Sequence, residues 1–212
     1  DAVLPGYAQP AWRTAALLEL QHLAFRVLGH PRLFWGVQGL YRALGRMGLV
    51  IGSSTGDELS CALPGDYARA MHPLQQRRLG RLLDGLEAMI AERRRNTALI
   101  ETALREAGLP TAAVPAGCDP VILRYPVPVE NKAALLAAAR QKQVRLGDWF
   151  LSPVHPNLAG WELAGYAAGT CPVAESLSRR VINIPTDGRQ TAREIRRTVD
   201  FLARHGQWAR TA

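Results

Sequence analysis

One stretch constrains this chain more than any other. From Met71 to Leu104 the sequence keeps helical periodicity almost without a break. Leu79, Leu82, Leu83, Leu86, Met89 and Ile90 fall at i, i+3, i+4, i+7, i+10 and i+11, and Arg77, Arg78, Arg81, Glu87 and Glu92 fill the positions between them. That spacing predicts an amphipathic helix with one buried stripe and one solvated side. Gly108 and Pro110 supply its stop. A helix over residues 71–108 is longer than most globular helices and is expected to act as a spine between two lobes. Leu86, in the middle of the stripe, is expected to be buried. The run Arg93-Arg94-Arg95 points in three directions on a helix, so a solvated face fits it better than a phosphate grip.

The flanking regions differ in texture. Apolar residues from Trp12 to Val27 form a broad helical stripe, stopped by Gly29 and Pro31, and a second helix is expected from Leu33 to Leu44. Together they make a helical hairpin edged by Trp12, Phe25, Phe34, Trp35 and Tyr41. Two readings fit it: a basic, aromatic face that lies on a membrane or a larger partner, or a hairpin packed on its own domain. Gly48 to Gly65 reads as a loop.

After Pro110 strands and helices alternate. Val121–Tyr125 reads as a strand closed by Pro126 and Pro128, Asn131 as the cap of a helix through Ala139, and Val144 as the centre of a short strand. Gly147 to Thr170 is irregular, and Pro172 opens another helix. Val181–Ile184 is a strand, and Thr191 with Glu194 forms a capping box before a final helix striped by Ile195, Val199 and Leu202. The expected class is α/β, with residues 1–70 as hairpin insertion and loop, 71–108 as the long interdomain helix, and 109–212 as a small α/β domain.

Composition narrows the chemistry. The 212 residues carry 26 Lys plus Arg against 18 acids, for a net charge of +8. Such an excess favours anionic partners, although spread arginines are also a compositional habit. No apolar run is long enough to span a membrane as a helix, and Asp1 is followed by no export signal, so a cytoplasmic location is expected. Cys61, Cys118 and Cys171 are widely spaced and expected to be free, buried thiols. The histidines His22, His30, His72, His155 and His205 have no metal-ligand spacing. Gly52-Ser53-Ser54-Thr55-Gly56 has the composition of a phosphate cradle but no lysine or helix start after it, so it reads as a plain loop. His155 is the best single candidate: it lies between Pro153 and Pro156, near Trp149, Phe150 and Asn157. A stiff loop presenting a polar ring beside aromatics suits a sugar or nucleotide pocket, and an ordinary loop histidine fits equally.

The run Met71-His72-Pro73-Leu74-Gln75, with Arg93-Arg94-Arg95-Asn96 further along the helix, resembles the M-S-x-L-Q helix and R-R-x-N end of DegT/DnrJ/StrS sugar aminotransferases. Pro153-Val154-His155 resembles that family's P-x-H segment. Cys171-Pro172-Val173-Ala174-Glu175, then Leu177-Ser178-Arg179-Arg180 and Ile184-Pro185, is similar to its P-x-A-E-x-L-S-x-R…L-P signature. The likeness covers about residues 71 to 205 and rests on the order and spacing of the pieces.

The resemblance implies the C-terminal small domain of a fold-type I transferase dependent on pyridoxal 5'-phosphate, generally a homodimer. The whole enzyme would move an amino group from a glutamate-type donor to a nucleotide-linked keto-sugar in polysaccharide or secondary-metabolite biosynthesis. His155, Trp149 and Arg69 would face the substrate, with no nucleic acid involved and peripheral membrane contact left open. The cofactor's large domain would precede this sequence, so neither cofactor nor activity is expected of the chain alone. Lys132 and Lys142 are its two lysines, both expected on exposed turns and neither in a Schiff-base context. Ala68 and Ala70 stand where the family carries Asn and Arg, and Phe150 where many members have tyrosine. A reading from another class is a non-catalytic basic module that docks on a membrane or polyanion.

Overall fold

The computed structural model describes residues 7–8, 10–28, 34–46, 60–63, 67–155 and 160–208. Two compact units divide it, residues 1–84 and 85–212. The expected loop from Gly48 to Gly65 falls mostly outside the described residues, as does Gly52–Gly56.

In the first unit, α1 spans Trp12–Leu28, α2 Phe34–Arg46 and α3 Pro73–Asp84. The Met71–Gln75 motif is the start of α3. Leu74 donates its N–H to His72 Nδ1 at 3.3 Å and His72 donates its own to Gln75 Oε1 at 3.1 Å, so side chains serve amides near the helix start. Pro73, which has no N–H to lose, takes the first helical position. Arg78 on α3 forms an ion pair with Glu19 on α1.

The expected continuous helix over 71–108 is two helices: α3 gives way to a turn at Gly85, and α4 runs from Leu86 to Glu106. Glycine costs about 1 kcal/mol relative to alanine within a helix, a cost that packing can offset. Here the packing is missing. α3 has no buried residue, and Leu79, Leu82, Leu83, Leu86 and Met89 are all exposed, Leu86 at 36%. The periodicity is real, but the burial it implied is not found among the described residues.

The second unit holds the core. β1, Arg124–Pro128, pairs antiparallel with β2, Val181–Pro185, placing Tyr125 opposite Ile184 and Val127 opposite Ile182. Around them lie α4, α5 (Lys132–Gln141), α6 (Pro172–Arg180) and α7 (Ala192–His205), with one 3₁₀ turn at Trp161–Ala164. Ile100 and Leu104 of α4 join Leu135 of α5 and Ile195, Val199 and Leu202 of α7 in one apolar cluster with both strands. The capping box at Thr191 is present in full.

Several expectations shift. The first strand begins three residues later than read and includes both prolines that were taken as its end. They are tolerated because Asn183, opposite Pro126, turns its backbone N–H and C=O the other way, to Gly147 at 2.9 and 2.7 Å. The expected strand at Val144 is only that single bridge, from Gly147 to Asn183; Val144 itself is a core residue. Asn131 is the N-cap residue of α5, as expected, but its side chain bonds elsewhere: its Nδ2 donates to His205 O and its Oδ1 accepts from Gln207 N, tying the start of α5 to the end of α7. Cys61, Cys118 and Cys171 are free, as expected, but exposed rather than buried, because each lies outside the packed elements.

Arg93 and Asn96 fasten α4 to the sheet. Asn96, 1% exposed, donates through Nδ2 to the carbonyls of Thr186 and Asp187, both at 3.1 Å, and Arg93 donates to Leu123 O and Thr186 Oγ1. The unlike roles of core and stripe predict a sharp contrast. Leu104→Ala should lower stability by about 2–5 kcal/mol, whereas Leu86→Ala in this chain should change it by about 0.5 kcal/mol. Chemical denaturation with the two variants side by side checks this; equal losses would contradict the exposure of the stripe.

Candidate functional site

The loop that leaves α5 carries the candidate residues. Trp149 and His155 meet as predicted neighbours: their rings stack with centroids 5.7 Å apart and planes inclined by 17°. On the Trp149 ring lies the Arg124 guanidinium, 4.5 Å from the centroid. The result is an Arg124–Trp149–His155 stack at the edge of the two-stranded sheet, with Trp149 and His155 both exposed. At this partly wet site the cation–π contact contributes about 0.5–1 kcal/mol. Such a surface offers flat faces and a fixed positive charge, suited to a planar or sugar ring bearing an anionic group.

Backbone contacts set the stack in place. Trp149 donates its N–H to Asn183 Oδ1 at 3.1 Å, and Asn183 is 1% exposed on the central face of β2. Gly147 is closely approached here: a Cβ would stand 3.3 Å from Asn183 Cβ and 3.4 Å from Arg124 Nη1, so a side chain would need these neighbours to give by a few tenths of an ångström.

Lys132 holds the same loop from beneath. It was expected to be exposed, and the structure overturns that: the residue is buried. Its Nζ pairs with Asp148 Oδ1 at 2.6 Å and donates to Phe150 O at 2.9 Å and Ser178 O at 2.7 Å. The burial has a clear cause. Ser178 lies in the last turn of α6, where carbonyls lack helical partners and a cation is favoured. Two carbonyls accept from the ammonium, and the Asp148 carboxylate beside it supplies the counter-charge.

Arg69, the remaining predicted residue, is exposed in the first unit, where it forms a β-bridge with Ala8. Sequence reasoning missed Arg124, Lys132, Asp148 and Asn183 as supports of the site. A signal existed only for Lys132, one of two lysines among many arginines, and it gave no direction.

A second network shapes the neighbouring loop. Glu175 Oε1 accepts from Gly169 N at 2.6 Å and from Tyr166 Oη at 2.8 Å, and Tyr166 Oη accepts from Cys171 N at 3.2 Å. These bonds, the amide of Gly169 foremost, hold the Glu175 carboxyl below the usual carboxylate range. Desolvation and the bond to Glu175 push the Tyr166 hydroxyl up.

A sequence profile described as the DegT/DnrJ/EryC1/StrS aminotransferase family matches residues 69–203, well over half of the chain. The chain belongs to that family. No curated protein matches it in sequence. A solved structure of a DegT DnrJ EryC1 StrS aminotransferase from Brucella abortus is similar in fold, with a TM-score of 0.54 at 21% identity. The match covers 71% of this chain and 39% of that one, so the chain spans well under half of that protein's length. Within the family signature, Arg93, Asn96, Glu175 and Ser178 all have contacts that build the fold: they staple α4, close the 166–171 loop and receive Lys132.

Two tests follow from these contacts. Lys132→Met should cost about 3–5 kcal/mol, because the Asp148 carboxylate and two carbonyls lose one shared cation. The same variant should broaden the His155 ring resonances; unchanged stability and spectra would show that the loop does not depend on Lys132. Glu175 gives a pH test. Its folded pKa lies below its unfolded value, so its contribution is full above the ordinary carboxylate range and is lost as pH falls through the lowered value. Amide exchange at Gly169 and Cys171 should therefore speed up in acid, relative to the intrinsic rate, and Glu175→Gln should abolish that acid dependence.

Proposed function

We propose that this chain forms the C-terminal, substrate-side part of an aminotransferase that acts on nucleotide-linked keto-sugars, with a glutamate-type amino donor, in the cytoplasm and as a homodimer. The observation that carries the reading is the Arg124–Trp149–His155 stack on the small-domain edge of a chain that belongs to this aminotransferase family. A guanidinium on an indole supports binding of a phosphate-bearing ring, and His155 adds a polar edge that can donate to or accept from a sugar hydroxyl. Trp149, stacked between Arg124 and His155, would meet the ring through the exposed edge of its indole. Arg69, exposed in the first unit, is proposed as a separate substrate contact.

Family members typically depend on pyridoxal 5'-phosphate, which supplies an electron sink for the amino-transfer chemistry. The residues of this chain do not fit the task of holding it. Lys132 Nζ is committed to Asp148, Phe150 O and Ser178 O, and freeing it would leave the Asp148 carboxylate without its cation. Lys142 is exposed just past the C-terminal end of α5, where Arg197 of α7 donates to its carbonyl. A lysine outside this sequence would hold the cofactor, and this chain's part would be to bind and orient the sugar nucleotide.

The test has two arms. Incubated with pyridoxal phosphate and borohydride, this chain should show only slow, unselective labelling, and with glutamate it should yield no pyridoxamine phosphate above a protein-free control. Stoichiometric labelling of one lysine, with turnover, would overturn the reading. In a longer protein that contains the chain, His155→Ala should lower kcat/KM for the sugar nucleotide about tenfold, a loss of about 1.4 kcal/mol, and leave the glutamate half-reaction unchanged. Unchanged kinetics with the sugar nucleotide would reduce His155 to a loop residue.

A further inference from the structure

Among the described residues of the first unit, large apolar side chains are mostly exposed. Ala15 is the only fully buried hydrophobic residue among those described there, whereas Trp12 is 71% exposed, Leu20 64%, Leu23 56% and Val27 66%. These four and Ala16 share one side of α1: at 100° per residue they fall within an arc of about 80° and form a ridge about 22 Å long. Ala15, the buried residue, stands about 100° round from the middle of that arc, and each large side chain of the ridge is more than half exposed. Beside it, α1 and α3 enclose a groove of about 600 Å³, with Leu20, Leu23 and Leu82 on its walls and His22, Arg78 and Arg81 around them.

Charge selects among possible occupants. Residues 12–46 carry Arg13, Arg26, Arg32, Arg42 and Arg46 against the single acid Glu19, and Glu19 is already paired with Arg78. The Arg13 guanidinium rests 5.7 Å from the Trp12 ring centroid, placing a cation beside the exposed indole. A second copy would bring two segments of the same net positive charge together, which is unfavourable. An acyl region under an anionic headgroup layer answers both features: it covers the leucines and neutralises the arginines. No helix among the described residues is long and apolar enough to cross a membrane, so the geometry suits a helix lying in the interface.

We propose that α1 docks this chain on a bilayer containing anionic lipid, with Trp12, Leu20, Leu23 and Val27 entering the acyl boundary, Arg13 beside them at the headgroups, and the net positive charge of residues 12–46 drawing the segment to the surface. This surface precedes the segment that matches the aminotransferase family and is independent of the catalytic reading.

The experiment is flotation of the 212-residue chain with vesicles of phosphatidylcholine alone and with roughly 30% phosphatidylglycerol, at low and high salt. The wild type should float with the anionic vesicles and be released by salt. Leu20→Glu with Leu23→Glu should weaken partitioning at least ~10-fold, while Val173→Glu, an exposed change in the second unit, should not. Both leucines are more than half exposed, so circular dichroism should stay unchanged. As a readout that needs no ridge variant, brominated lipid should quench wild-type tryptophan fluorescence, and Trp12→Phe should remove most of that quenching. No binding by the wild type, binding indifferent to the glutamates, or a dimer in lipid-free sedimentation that the glutamates dissociate would overturn the proposal.

Discussion

The ammonium of Lys132 is the interaction on which the candidate site depends. It stands at the first residue of α5, yet its three partners come from the 147–155 loop and the end of α6. One buried cation thus joins three pieces of chain distant in sequence. The arrangement is stable because each partner has its own need: Asp148 requires a counter-charge, and the carbonyl of Ser178 lacks a helical donor. Trp149 lies between Asp148 and Phe150, so the loop's grip on Lys132 also sets where the indole and its stacked neighbours lie.

The sheet supports the same loop from the other side. Two strands alone are marginal, and here β1 and β2 are made durable by α4 and α7, which cover them with Ile100, Leu104, Val199 and Leu202. Asn183 links this core to the site. Its backbone bonds Gly147, which spares Pro126 a donor it does not have, and its side chain receives the Trp149 amide. Fold and site thus share a residue, and a change there would act on both.

The two units contrast in how they spend their apolar residues. The second buries them in one cluster, whereas the first leaves leucines on α1 and α3 in the open. Part of that surface belongs to the stripe that reads as the inner face of a long helix. A stripe records only that something apolar is to be met; it carries no information on whether the partner lies in the same chain. For the same reason sequence periodicity could place Leu86 on a face but could not bury it.

Local rules were legible where they act within a few residues. The capping box at Thr191, the proline start of α6 and the stripe of α7 depend on neighbours three or four positions away, so the sequence alone determined them. The pairing of His155 with Trp149 was also within reach, since a short, proline-flanked loop limits where either ring can go. Arg124 on the indole, Lys132 under the loop and Asn183 behind it were not, because each contact joins segments that only the folded chain brings together. Tertiary structure decided these, and it decided the strand as well: Pro126 can sit in β1 only because Asn183 bonds in the opposite direction, to Gly147.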